Sequence, residues 1–131
     1  MISDVKITIC IDGKTETARL VCDNKAVSIT FIMNSGLLKL YTDTNFYKCF
    51  GNVRKDNPHI QFLCKGSKIN VHPSSMSTQM TLGVKAYELT LEKKPSLDDL
   101  IYIFDYEENN LTNDPNEQEE FFKKWIASKK E

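Results

Sequence analysis

Val5-Lys6-Ile7-Thr8-Ile9-Cys10-Ile11-Asp12-Gly13 is the stretch from which the fold of this chain follows. Its apolar residues Val5, Ile7, Ile9 and Ile11 alternate with Lys6, Thr8 and Cys10, the period of two of a half-buried strand. Asp12-Gly13 then tolerates the positive φ of a tight hairpin turn. The return strand, from Thr15 to Cys22, puts Ala18, Leu20 and Cys22 on one face. Asp23-Asn24 turns the chain again, and Val27, Ile29, Phe31 and Met33 alternate through Ala26 to Met33. Asn34-Ser35-Gly36 leads into a fourth strand, Leu37 to Tyr41. These segments spell an antiparallel meander with one face toward a core and the other open to solvent or a partner.

Beyond Tyr41 the period changes. Thr42-Asp43-Thr44-Asn45 is a helix-capping cluster, and Phe46, Phe50 and Val53 follow at helical spacing before Asn57-Pro58 stops the run, so a helix is expected over Asn45 to Asp56. Strands are expected over Ile60 to Cys64, Lys68 to His72 and Val84 to Leu91, with a polar loop from Pro73 to Thr81. Ser96 with Asp99 forms a carboxylate variant of the capping box, and Leu97, Leu100, Ile101 and Phe104 share one face of the helix it predicts. After a polar linker, Asn109 to Asn113, Asp114-Pro115 opens a final helix. Phe121, Phe122, Trp125 and Ile126 form its apolar side, and Lys123, Lys124, Lys129 and Lys130 sit near its negative end. The expected fold class is α+β: an N-terminal four-strand antiparallel meander plus about three further strands, with about three helices, the last at the C-terminus.

A chain of 131 residues, 40% hydrophobic and 27% charged, has the size and composition of one ordinary globular domain. No apolar run approaches the roughly 20 residues that cross a bilayer, and the start lacks the features of an export signal, so the expectation is a cytoplasmic protein away from the membrane. Cys10, Cys22, Cys49 and Cys64 include no close C-x-x-C pair, which favours reduced, buried thiols over a disulfide framework or a zinc site. Charge is unevenly spread. Residues 1–94 carry 13 basic and 8 acidic side chains, whereas 95–131 carry 4 basic and 10 acidic. Between Pro95 and Phe122 there is no lysine or arginine, which makes the last third an acidic appendage suited to a basic partner.

The segment Asn70 to Tyr87 gathers hydroxyls, an imidazole, an amide, a glycine and a lysine. One reading makes it an anion-binding loop. Ser74, Ser75 and Ser77 would hold the ligand with His72 and Gln79, Lys85 would supply the countercharge, and Tyr87 would stack on a ring. The other reading makes it a connection whose Met76 and Met80 plug the core edge; the G-x-x-x-x-G-K-[ST] spacing of a phosphate cradle is missing.

His72-Pro73-Ser74-x-Met76, Met80, Gly83, Lys85-Ala86-Tyr87, Leu91 and the run Asp99 to Asp105, with Cys64-Lys65-Gly66 and Gly51 to Arg54, resemble a pattern in a family of small, poorly characterised bacterial proteins. The resemblance covers about residues 46–105. That pattern has glycine where this chain has Ser75 and Thr81, and arginine where it has Thr78, so this chain loses flexibility and a positive charge there. The resemblance implies no activity, cofactor or ligand.

Catalysis finds little support. His59 and His72 are the only bases available to a serine or cysteine nucleophile, and neither G-x-S-x-G nor H-E-x-x-H occurs. The pairs Asp98-Asp99 and Glu107-Glu108 are adjacent positions that do not face one another on a helix. Neither a metal site nor a cofactor is expected, since the histidines are far apart and the acidic cluster lacks a calcium-loop pattern. Single-stranded nucleic acid is a third possibility, resting on scattered lysines and on Tyr41, Phe46 and Tyr47, but with only Arg19 and Arg54 as arginines nucleic acid is the weaker expectation. The leading expectation is a non-catalytic immunity or antitoxin protein that blocks a cognate bacterial toxin. Its contacts would be Asp98, Asp105, Glu107, Glu108, Glu117 and Glu120, with Tyr102 and Tyr106 as aromatic anchors. The alternative is a small-molecule or nucleotide domain that uses the loop 72–87.

Overall fold

The computed structural model describes residues 1–128. The meander forms as its alternation predicts. Strands β1 (Ile2–Ile11), β2 (Lys14–Asp23), β3 (Ser28–Ile32) and β4 (Leu38–Thr42) are consecutive antiparallel neighbours. Strand β5 (Ile60–Phe62) adds to the other side of β1, giving the order β4-β3-β2-β1-β5. The first hairpin closes through Asp12 and Gly13, both at positive φ (52° and 80°), as a two-residue turn between right-twisted strands requires.

Register sorts the two faces. Ile7, Ile9, Ala18, Leu20, Ile29 and Phe31 are buried on the inner face, beneath α1 (Phe46–Asp56), whose Phe46, Cys49, Phe50 and Val53 cover them. The outer face carries the cross-strand row Lys6, Arg19, Ile32 and Leu38, and it stays open. Asn45 caps α1 by accepting the Lys48 N–H at 2.9 Å.

A second, three-stranded antiparallel sheet has the order β6-β7-β8: β6 (Val71–His72), β7 (Lys85–Glu88) and β8 (Leu100–Tyr102). It is joined to the first half where residues 103–107 run beside residues 63–66. There the Gly66 N–H donates to the Ile103 carbonyl at 2.8 Å. A Cβ on Gly66 would come within 2.7 Å of the Ile103 side chain, so only glycine allows this approach. Helix α3 (Pro115–Ser128) closes the fold. Among the described residues no helix is long and apolar enough to cross a membrane.

Three expectations in this second half need correction. The loop 73–81 contains a helix, α2 (Ser75–Thr81), with Ser74 as its cap and Ser77 completing a reciprocal capping box. The helix expected from Ser96 shrinks to one 3-10 turn, Leu97–Asp99, followed by β8. Its capping box forms, yet the β-branched and aromatic run Ile101 to Phe104 gains more by pairing with β7 and burying Ile103 and Phe104. Leu97, expected on the buried face, is 81% exposed. The strand expected over Lys68 to His72 is reduced to β6, because a 3-10 turn at Lys65–Ser67 precedes it. On α3, Trp125 is buried and Phe121 and Phe122 are half-buried, but Ile126 is 49% exposed. Lys129 and Lys130 lie outside the described residues.

Candidate functional site

Two regions collect the residues singled out from sequence. The first is a cleft of about 660 Å³ between the first turns of α1 and α3 and the turn from β6 into α2. That volume is in the range of small-molecule sites, roughly 300–1,000 Å³. It brings together His72, Ser74, Ser75 and Gln79 of the expected ligand loop, and adds Asn45, Lys48, Asn52, Thr78 and Glu119, which the sequence did not suggest. Ser77, Lys85 and Tyr87 do not line it. Ser77 is buried in the capping box, its hydroxyl donating to the Ser74 carbonyl at 3.1 Å. Lys85 and Tyr87 lie on β7, where Tyr87 pairs with His72 across the sheet.

His72 is held from every side. Its ring stacks on Phe122 at 3.8 Å and 6° and meets Tyr47 at 5.5 Å. Nδ1 lies 2.8 Å from the Pro73 carbonyl oxygen and Nε2 lies 3.3 Å from a Glu119 carboxylate oxygen. The Pro73 carbonyl and the Glu119 carboxylate are both acceptors, so each ring nitrogen faces one. The Ser74 hydroxyl accepts the Ser77 N–H as a helix cap. His72 and Ser74 are thus each occupied as struts, and the geometry does not assemble a nucleophile with its base. His59, the other candidate base, is exposed beyond α1.

The cleft's charged groups divide into committed and free. Asp43 accepts the Thr44 N–H at 2.6 Å and the Asn52 amide at 2.9 Å. Although partial burial pushes the Asp43 carboxyl up, these and other donors outweigh it and hold it below the usual range. Lys48 makes no ion pair among the described residues, though its charge also helps hold Asp43 down.

The second region is the acidic last third. Asp98, Asp105, Glu108, Glu117 and Glu120 are exposed and have no ion-pair partner among the described residues. Tyr106 is 55% exposed and donates to Glu108 at 2.9 Å. Glu117 and Glu120 flank a shallow groove of about 190 Å³ with Ile69, Phe121 and Lys124.

Three of the expected contacts are built into the fold instead, Glu117 by accepting the hydroxyl of buried Thr112, and Glu107 and Tyr102 more extensively. Glu107 accepts the N–H groups of Asn109 at 3.0 Å and Glu108 at 3.1 Å, and pairs with Lys68 at 3.2 Å. The Asn109 N–H, followed by Lys68, holds the Glu107 carboxyl below its usual range. Lys68, only 14% exposed, also reaches Glu88 at 2.6 Å. Tyr102 is half-buried on β8 with its ring edge-on to Phe104 at 5.5 Å, and burial raises its hydroxyl.

Behind both regions lies Arg54, fully buried, a residue the sequence offered as one of two arginines and as the end of the Gly51 to Arg54 stretch of the resemblance. It donates to the Gln118 side-chain oxygen at 2.6 Å and the Thr112 carbonyl at 3.2 Å, with its guanidinium 4.9 Å from the Phe50 ring centre. Burial pushes it down to about 10. Its position on the buried side of α1, three and four residues after Gly51 and Phe50, was the available signal.

Compared with known proteins, the chain matches no family model and no curated protein.

Proposed function

We propose that this chain is a cytoplasmic, non-catalytic binding protein of the immunity type, which neutralises a basic toxin domain by covering it. One observation carries the reading: Asp98, Asp105, Glu108, Glu117 and Glu120 stand exposed and without an ion-pair partner among the described residues, in a segment without lysine or arginine up to Phe122. Unpaired carboxylates on a folded surface repel one another modestly and gain when a basic surface arrives. They also steer its approach, which gives fast, salt-sensitive association. Tyr106 is the aromatic group best placed among them to become buried on binding.

Purification of the tagged protein from its host, with mass spectrometry of what accompanies it, is the first test. The expected result is a stoichiometric basic partner. Its association rate should fall with added salt, and by about tenfold or more when Asp98, Asp105, Glu108 and Glu120 are all changed to lysine. Tyr106→Ala should mainly speed dissociation. Glu107 and Glu117 are left intact in these variants because the first holds Lys68 and the second accepts the Thr112 hydroxyl. An association rate indifferent to salt and to charge reversal would remove the reading.

A further inference from the structure

The two ends of the five-stranded sheet are finished differently. At β5 the Ile60 carbonyl receives the Asn113 amide at 2.6 Å, and just beyond it the Leu63 carbonyl receives the Glu107 N–H at 3.1 Å. The part of β1 that runs on past β5, Ile2 to Ile7, carries the charges of Asp4 and Lys6. At the other end β4 pairs with β3 alone. Which backbone groups it leaves over follows from its register. The Met33 N–H donates to the Leu37 carbonyl at 2.9 Å and the Asp43 N–H to the Val27 carbonyl at 3.4 Å, in the same register that pairs Ile29 with Tyr41. Hydrogen-bonded pairs recur at every second residue of an antiparallel ladder, so Lys39 and Tyr41 turn their backbone groups to β3, and Leu38, Leu40 and Thr42 turn theirs outward. Of these, among the described residues, only the Thr42 carbonyl meets another group, the Asn52 amide at 3.5 Å.

Sheet edges are normally blunted by proline, by a bulge or by an inward-pointing charge. Strand β4 has no proline and no bulge, since its pairing runs unbroken from Leu38 with Ile32 to Thr42 with Ser28. Its one charge, Lys39, lies on the α1 side, where Asp56 neutralises it at 2.7 Å. On the outer side Leu38 is 65% and Leu40 59% exposed. The edge is thus regular, apolar on one side and charge-matched on the other.

We propose that β4 pairs with the β4 of a second copy of this chain, antiparallel about a twofold axis at Leu40, so that two sheets become one. A twofold contact needs a self-complementary strand, and this one is. With the axis at Leu40, Leu40 faces its counterpart and Leu38 faces the second copy's Thr42, which are the residues whose backbone groups are free; each such pair exchanges two N–H···O bonds. On the α1 side Lys39 falls opposite the second copy's Tyr41. That ring already receives an ammonium in its own chain, with Nζ 5.4 Å from the ring centre, and its hydroxyl donates to Asp56 at 2.5 Å. An arriving lysine therefore finds an aromatic face backed by a carboxylate. A depression of about 430 Å³ between β4 and α1, with Tyr41, Lys55 and Asp56 in its lining, has room for it. An axis one residue either way leaves part of the strand unpaired, and the one at Lys39 also sets two lysines against each other. The contact uses none of the acidic residues and does not depend on the immunity reading.

Sedimentation equilibrium of the full chain from micromolar to millimolar concentration should fit a monomer–dimer equilibrium. Hydrogen–deuterium exchange followed by NMR reads the pairing itself. The amides of Leu38, Leu40 and Thr42 should become protected as the concentration rises, whereas those of Lys39 and Tyr41, bonded to β3, should be protected throughout. Leu40→Pro removes an N–H that its own chain does not use and is tolerated on an edge strand, so it should fold and weaken dimerisation by about tenfold or more. If that variant does not fold, Leu40→Lys, which sets like charges opposite each other on an exposed face, serves the same purpose. A chain that stays monomeric at millimolar concentration would overturn the proposal, even if β4 then takes up an extended segment of another protein. So would a dimer that leaves those three amides unprotected, a dimer unweakened by the variants, or growth beyond two copies.

Discussion

The N-terminal sheet and the C-terminal third are held together by different physics. Between β1 and β5 cohesion is apolar: Ile9, Leu20, Ile29, Phe31, Phe50 and Phe62 are all fully buried, and their rings interlock, Phe62 lying 5.4 Å from Phe31 and 5.8 Å from Phe50. The last third is instead pinned by polar side chains. Gln118 accepts from Arg54 and donates to the carbonyls of Gly66 at 2.9 Å and Lys68 at 2.8 Å. The Asn113 amide reaches the Ile60 carbonyl at 2.6 Å, and the Trp125 indole N–H reaches the Lys93 carbonyl at 2.9 Å. Apolar burial is non-directional and tolerates adjustment, whereas a buried hydrogen bond is satisfied or lost. A segment fixed by polar pins has a specified position, which is what a presenting surface needs.

Mutation can set the two halves against each other. Phe62→Ala should cost about 3–5 kcal/mol by transfer and cavity terms, measured as the shift in a urea unfolding curve. A loss below about 1 kcal/mol would mean that the sheet is not the main apolar core. Gln118→Ala should cost about 2–3 kcal/mol, because it takes an acceptor from the buried guanidinium, which keeps only the Thr112 carbonyl, and a donor from the carbonyls of Gly66 and Lys68, the latter keeping the Val71 N–H. Joining Gln118→Leu with Arg54→Met should recover much of that loss, since replacing both members of a buried polar pair is far milder than removing one. A double variant less stable than Gln118→Ala alone would show that Arg54 works through packing on Phe50.

The same contrast decides what could be read in advance. Period-two alternation in β1 to β4 and the Asn45 cap of α1 are local signals, and those elements formed as expected. In the second half the decisive contacts join residues far apart in sequence, such as Arg54 with Gln118 and Gly66 with Ile103, and no local pattern encodes them. The apolar set Leu97, Leu100, Ile101 and Phe104 satisfies a helical stripe, yet β7 offered an edge for Leu100 to Tyr102 to pair with. Short apolar runs are ambiguous between helix and strand for this reason. Of the candidate ligand residues, His72, Ser74, Ser75 and Gln79 do meet at one cleft, but Asn45, Lys48 and Glu119 come to it from other elements and were legible only as a cap and two surface charges.

Alkaline titration probes the apolar half next. Burial pushes the thiols of Cys22 and Cys64 up to about 12 and that of Cys49 to about 11. Burial, then the hydrogen bond to Asp56, raises Tyr41 to about 12. In the unfolded chain thiols titrate near 8.5, so from roughly pH 9 upward the unfolded state releases protons that the native state retains. Stability should therefore fall as pH rises through these folded values. Arg54 acts with the opposite sign, since its lowered folded value of about 10 makes the unfolded state the better proton binder above that pH, but it is one group against four. Urea midpoints measured under a reductant should decline above roughly pH 9, and Cys64→Ala should make the decline shallower. A flat or rising profile would contradict the buried, neutral state of these thiols.

The smallest effect is expected where neither kind of cohesion operates. Helix α2 has one buried residue, Ser77, and exposes Met76 and Met80 at 69% and 77%. It is held at its start by the reciprocal bonds of Ser74 and Ser77, and at its end by Leu82, whose carbonyl accepts the Phe46 N–H at 2.6 Å. Ser74→Ala removes the cap and should cost about 1 kcal/mol. Because so little apolar surface ties α2 to the core, that loss should be spent locally. Amide exchange at Ser77 and Thr78 should quicken by about fivefold, with the urea midpoint almost unmoved. If the urea midpoint instead shifts by the full amount while exchange at those amides keeps pace with the core, α2 belongs to the same cooperative unit as the sheet. The boundary between the two regimes would then lie beyond Gly83, with only β7, β8 and α3 on its far side.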